Sequence, residues 1–151
     1  MNKPMESKEN KALIAFRSGL NCSQAVVTAY SEELGFDQNM ASAISTGFGG
    51  GMGRLQATCG AVTGSFMVLG MVNSKKFADN NARKEETYSM IRKFNDKFKT
   101  IHGATDCKTL LKCDLNTEEG QRLVKEKNLH DTVCEKCILT SVKLIDELTG
   151  F

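Results

Sequence analysis

Proline is nearly absent from this 151-residue chain, tryptophan is missing, and neither sign of charge predominates. A single proline, Pro4, argues against a loop-rich architecture. Twenty Lys+Arg against 18 Asp+Glu leave a formal charge of only +2. That excludes the basic footprint of a nucleic-acid binder and also an acidic tail. Hydrophobic residues at 40% and charged residues at 25% exclude whole-chain disorder. The length is that of one domain, so a single domain over residues 1–151 is expected.

Long apolar runs are missing as well. The start, MNKPMESKENKALIAF, is charged through Lys11, and its apolar run Ala12–Phe16 falls short of the ~7–15 residues of a signal peptide's core. A cytoplasmic, reducing setting is therefore expected, in which clustered cysteines are catalytic, redox-sensing or metal-binding. The alternative, three disulfides in a secreted domain, lacks its leader. From Gln38 to Ser74 the only charge is Arg54, and Ala57–Val72 has none. That stretch carries three Gly and three Ser/Thr among sixteen residues, small rather than greasy, where a span needs ~20 mostly apolar residues. It reads as the buried central helix of a soluble protein, with no membrane span.

What remains is helical in period, without a run that alternates as a half-buried strand does. Helices are expected over Ser7–Ser18, from the capping-box sequence Asn21-Cys22-Ser23-Gln24 to Leu34, and after Asp37. A central helix should start near Thr58, followed by a long one over Ala82–His102. The stripe of that long helix would be Tyr88, Ile91, Phe94, Phe98 and Ile101, with Gly103 as its stop. Short helices near Asp106–Leu111 and Thr117–Lys127 lead to a last one, Asp131–Leu148. The expected fold is an all-α single-domain bundle of about six to eight helices, with a Gly-rich loop before the central helix.

Two residue types are in excess: six cysteines and thirteen glycines. Cys22, Cys59, Cys107 and Cys134 each follow a good N-cap, which puts them in the first turn of a helix. Unpaired N–H groups and the positive end of the helix dipole favour a thiolate there. A lone cysteine is commonly a small buried hydrophobe; four at helix starts point instead to redox chemistry or thiolate ligation. Cys134-Glu135-Lys136-Cys137 is a CxxC, used in dithiol chemistry and as half of a metal site. No second CxxC stands at zinc-ribbon spacing; Cys107 and Cys113 have five residues between them. Ile138 follows where covalent haem attachment needs His, so no covalent haem is expected.

The segment Gly47-Phe48-Gly49-Gly50-Gly51-Met52-Gly53 ends in Arg54-Leu55, not the G-K-[ST] of a phosphate loop, and follows a helical stretch rather than a strand. No nucleotide is expected. Gly49, Gly50, Gly51 and Gly53 instead suit close backbone packing, or an anion-binding nest beside Cys59. Arg54 is either a counter-charge for a thiolate or bound anion, or the solvent edge of the loop. His102 and His130 read as surface or capping residues, and the stretches Lys3–Lys11 and Glu118–Lys127 as solvated helix faces.

At Cys59-Gly60-Ala61-Val62-Thr63-Gly64 the chain resembles the bacterial redox-active proteins labelled C-GCAxxG-C-C. The likeness spans nearly the whole chain, through FRSGLNCSQAV, GFGGGMGR, CKTLLKCDL and VCEKC. It implies Cys22, Cys59, Cys107 and Cys134 as the naming cysteines, Cys113 as a frequent extra and Cys137 as an addition. Gly60, Ala61 and Gly64 are the other motif positions, whereas Gln56-Ala57 departs from the family's Gly-Glu. The resemblance implies a redox role and an electron-transfer or transporter partner. Similarity to the cluster-bearing portion of split-Soret cytochromes favours an iron–sulfur cluster over another thiolate-bound metal. A metal-free thiol–disulfide oxidoreductase and a non-enzymatic metal-handling or regulatory partner of a transporter stay open beside it. The Gly-rich surfaces are compatible with a homodimer.

Overall fold

A computed structural model describes residues 6–151, so Pro4 and the start of the Lys3–Lys11 stretch lie outside it. Helix α1 (Lys8–Arg17) begins at Ser7, whose Oγ accepts from the Asn10 N–H at 3.1 Å. Helix α2 (Cys22–Ser31) opens with a complete capping box: Asn21 Oδ1 accepts from Gln24 N–H at 2.9 Å, and Gln24 Oε1 accepts from Asn21 N–H at 3.0 Å. Helix α3 (Gln38–Ser45) is capped by Asp37 and runs into a 3-10 turn (Thr46–Phe48) and the short α4 (Gly49–Met52). Then follow α5 (Gly60–Lys76), α6 (Asn80–His102), α7 (Cys107–Leu111) and α8 (Glu118–Glu126). A π-helical turn (His130–Cys134) feeds directly into α9 (Glu135–Thr149). The expected all-α bundle is what forms; among the described residues the only β pairing is an isolated bridge between Thr58 and Asp106.

Helix α5 lies at the centre, against α2, α6 and α9. Ala61, Val62, Val68 and Leu69 on it are fully buried, which explains a sequence stretch without charge. Its glycines set the approach of α2. A Cβ on Gly64 would lie 2.9 Å from the Ser23 carbonyl oxygen, and one on Gly60 would lie 2.9 Å from the Phe48 carbonyl oxygen. Small residues at Gly60 and Gly64 thus serve contacts inside this chain. Phe94, Phe98, Ile138 and Ile145 complete the main core, each worth ~1.5–3 kcal/mol when buried. A smaller apolar cluster, Cys107, Leu111, Val124 and Leu129, lies under α7 and α8.

Two boundaries and one helix face differ from expectation. Helix α2 stops at Ser31 rather than Leu34, because the chain turns there through Gly35 at φ +75° and Phe36 N–H closes back on the Ser31 carbonyl at 2.8 Å. Helix α6 begins two residues before Ala82, since Asp79 caps it by accepting from Ala82 N–H. Its buried face runs Met90, Phe94, Phe98, with Ile91 half-buried, while Tyr88 and Ile101 are 50% and 59% exposed. Six residues from Phe94 is about 120° off its face at ~100° per residue, so Tyr88 points away. No helix of the described residues is long and apolar enough to cross a membrane.

Candidate redox site

The glycine segment is more than a loop. Gly50, Gly51, Met52, Gly53 and Arg54 all have φ between +64° and +69°, forming a short left-handed turn. Left-handed backbone costs ~1–2 kcal/mol for each residue bearing a Cβ, so Met52 and Arg54 are held there by their surroundings. Gly53 N–H closes the turn on the Gly49 carbonyl at 2.9 Å. Gly49 packs on the α2 cap, where a Cβ would fall 2.4 Å from Asn21 Cγ. Gly51 packs on α7, where a Cβ would fall 2.7 Å from Cys107 Cβ and 2.6 Å from Gln56 Cα. The turn therefore wedges between the starts of α2 and α7 and brings Cys22 and Cys107 to one place.

The isolated bridge does the same for Cys59 and Cys107. Cys59 N–H donates to the Thr105 carbonyl at 2.8 Å, and Cys107 N–H to the Ala57 carbonyl at 2.7 Å. These pairs hold the starts of α5 and α7 side by side. Asp106 caps α7 by accepting from Thr109 N–H at 2.9 Å. Cys59 is itself the N-cap of α5, and its carbonyl accepts from Val62 and Thr63 N–H at 3.0 Å each. Cys134 ends the π-helical turn and immediately precedes α9, rather than following an Asp131 cap. Arg17 grips Glu135 with two bonds, Nε to Oε2 at 3.2 Å and Nη2 to Oε1 at 2.7 Å, fixing the end of α1 to the start of α9 beside Cys134.

Cys22, Cys59, Cys107, Cys134 and Cys137 line one cavity of about 740 Å³. Its apolar wall includes Phe16, Leu20, Leu110 and Val133, and Gly49, Gly50, Gly51, Gly53, Arg54 and Gly60 also border it. All six cysteines are free thiols. Cys137 is buried and hydrogen-bonds with Cys59, so this added cysteine lies inside the group. Cys113 is half-buried at the edge, just past the end of α7. Ala61 is buried in α5, and Gly64 serves the α2 contact rather than the cavity. Arg54 is exposed at the rim, and its carbonyl accepts from Asn116 Nδ2 at 2.8 Å.

Proton affinities divide within the group. Cys134 is pulled down to about 6, first by a hydrogen bond from Cys22 and then by one from His130. Cys22 is pushed up in turn by sharing its proton with Cys134 and by burial. His130 is raised by the same thiolate. Cys59 is lowered, by the hydrogen bond from Cys137 and then by the Ala61 and Val62 N–H groups at the start of α5. Cys137 is raised by that bond and by burial. Burial pushes Cys107 up to about 12, against a hydrogen bond from Gln56. The site thus favours a thiolate at Cys134 and shifts Cys59 in the same direction, each beside a thiol whose proton is held more tightly.

Two residues of the site escape sequence reading. His130 is exposed, as expected, yet it also hydrogen-bonds Cys134 and packs edge-on against Phe16 at 5.9 Å; its position one turn before Cys134 is the only signal. Gln56 is buried, at φ +55°, and donates to Cys107 Sγ at 3.8 Å. The glycine that the resemblance leads one to expect at this position would adopt the left-handed backbone without strain, whereas Gln56 is held there by its contacts. His102, by contrast, bonds Thr140 Oγ1 at 2.8 Å, away from the cysteines.

An all-α fold that brings five cysteines from the starts of α2, α5, α7 and α9 to one cavity, with the Cys134 thiol lowered to about 6, defines a cysteine-centred redox protein. The family model described as "Putative redox-active protein (C_GCAxxG_C_C)" matches residues 20–148, and the chain belongs to this family. No curated protein and no solved structure matches the chain.

Proposed function

We propose that the chain is an electron-transfer protein in which Cys22, Cys59, Cys107 and Cys134 hold an iron–sulfur cluster in the cavity. The observation that carries this reading is the convergence of these sulfurs, from four different elements, on one cavity of about 740 Å³. Iron–sulfur clusters are commonly held by four cysteine thiolates. Among the described residues no three His, Cys, Asp or Glu side chains stand close enough to share a single ion. A cluster makes no such demand, because its cysteines bind different irons. When bound, such a cluster accepts and releases single electrons.

The chain's own groups suit the task. N–H groups and dipoles at the starts of α2, α5 and α7 offset negative charge on the sulfurs. Phe16, Leu20, Leu110 and Val133 exclude water from one side. Each of Cys22, Cys59, Cys107 and Cys134, changed singly to Ser, should abolish or strongly bleach the visible spectrum of anaerobically purified protein, whereas Cys113→Ser should leave it. Equal spectra in all five variants would count against these ligands.

A second reading rests on the hydrogen-bonded pair Cys22 and Cys134. In a metal-free protein the Cys134 thiolate attacks a disulfide of a partner and releases one partner thiolate. Cys22 then attacks the mixed disulfide, which forms a Cys22–Cys134 disulfide; its proton passes to the departing partner sulfur, which leaves as a thiol. Peptide mapping of protein oxidised by a small disulfide would find that bond; its absence argues for the cluster. A cytoplasmic setting and an electron-transfer or transporter partner belong to the same proposal.

A further inference from the structure

Gln56 occupies an improbable position. Its backbone is left-handed at φ +55° although it carries a long side chain, and it is 5% exposed although it is polar. Both features cost stability unless contacts compensate. The side chain is fully engaged. Oε1 accepts from Leu115 N–H at 2.8 Å, and Nε2 donates to the Cys113 carbonyl at 2.9 Å and to Cys107 Sγ at 3.8 Å. The orientation of the amide is not open to choice. A backbone N–H only donates and a carbonyl only accepts, so the NH2 end must be the one that faces the sulfur.

The main chain of Gln56 is equally tied. Its N–H donates to the Gly50 carbonyl at 3.3 Å, and its carbonyl accepts from Lys108 N–H at 3.4 Å. One residue therefore connects the left-handed turn, the start of α7 and the segment after it. An N–H aimed at a sulfur stabilises its anionic form, and hydrogen bonds to the sulfurs are among the features that set a cluster's potential.

We infer that Gln56 is a positioning residue that sets the redox potential of the site through its amide hydrogen bond to Cys107, while its carbonyl oxygen holds the segment 113–115 closed. The inference rests on the cluster reading above for its potential, but not for its bond to the thiol. Two substitutions separate the roles. Gln56→Glu keeps an oxygen for Leu115 N–H but, being ionised, donates to neither the sulfur nor the Cys113 carbonyl and adds negative charge. Gln56→Gly relaxes the left-handed backbone and removes all three side-chain bonds.

The test uses the full chain, prepared without oxygen, with three readouts. Both variants should show a lower midpoint potential than the wild type, with Gln56→Glu the lower of the two. In metal-free protein, hydrogen exchange at the Leu115 amide should stay slow in Gln56→Glu and become fast in Gln56→Gly. Where Leu115 stays protected, access to Cys107 is unchanged. Alkylation of Cys107 by iodoacetamide, followed by peptide mass spectrometry, should then slow in Gln56→Glu by about fivefold, the size of one lost hydrogen bond. A wild type that takes up no iron overturns the cluster reading and leaves the exchange and alkylation arms to decide on Gln56. A Gln56→Glu protein with protected Leu115 but wild-type Cys107 alkylation, or an unchanged potential in loaded protein, overturns the inference.

Discussion

Gly51 and Cys107 are packed so closely that a Cβ on the glycine would lie 2.7 Å from the Cβ of the cysteine. The same Cβ would meet Gln56 Cα at 2.6 Å and Ala57 N at 2.9 Å, and Gly51 is left-handed at φ +69°. Gly53 is also left-handed at φ +67°, but a Cβ there would meet nothing nearer than 3.8 Å. Gly53→Ala should cost ~1–2 kcal/mol, the conformational term alone. Gly51→Ala should cost ~1–3 kcal/mol more for overpacking, and should displace Cys107. Thermal melts of the two variants, side by side, check the difference.

Helix α5 allows a cleaner contrast. Gly64 would place a Cβ 2.9 Å from the Ser23 carbonyl oxygen and 3.1 Å from Ser23 Cα, while Gly70 has nothing within 4 Å. Gly64→Ala should push α2 away and destabilise by ~1–3 kcal/mol. Gly70→Ala should stabilise by ~0.5–1 kcal/mol through helix propensity. Denaturant titrations should move in opposite directions for the two.

The pH dependence of the metal-free protein follows from Cys134. Its thiol lies at about 6 in the folded chain against an ordinary value near 9. A lowered acid stabilises the fold fully above its unfolded value and loses that contribution as pH falls through its folded value. The stability gap between wild type and Cys134→Ala should therefore be widest near pH 9 and close below about pH 6. Alkylation of Cys134 should be half-maximal near pH 6. It should move up in Cys22→Ala, which removes the larger cause, and up by less in His130→Ala. An unmoved profile in both variants would contradict the thiolate assignment.

Tyr30 offers a test away from the cysteines. Its buried hydroxyl donates to Asp146 Oδ1 at 2.7 Å and lies 3.1 Å from the Val142 carbonyl, joining α2 to α9. Tyr30→Phe leaves the ring packed and removes that link. A loss of ~1–2 kcal/mol is expected, with the visible spectrum of the anaerobic protein unchanged. Equilibrium unfolding and one spectrum check both halves.

What was legible in the sequence was local. Ser7, Asn21, Asp37, Asp106 and Thr117 each cap a helix with their own side chain, a contact spanning three residues, so the helix starts and the cysteines beside them could be read directly. The left-handed run at Gly50–Arg54 could not, because glycine permits either hand and the choice is made by packing on Asn21 and Cys107. The burial of Cys137 depends on how α9 meets α5, and the contact of His130 with Cys134 depends on the π-helical turn, which the sequence does not announce. The buried face of α6 is likewise chosen by α5 and α9, which take Met90 and leave Tyr88 outside. Gln56 reads as an ordinary loop residue until the chain returns at Cys113 and Leu115 to bond with it.

The central claim is that the cysteine-lined cavity holds an iron–sulfur cluster, and iron and acid-labile sulfide analysis of protein purified without oxygen tests it most directly. The account predicts iron and sulfide bound together in protein with broad visible absorbance, both lost in Cys59→Ser. Colourless, metal-free protein that takes up neither iron nor sulfide on reconstitution would contradict it.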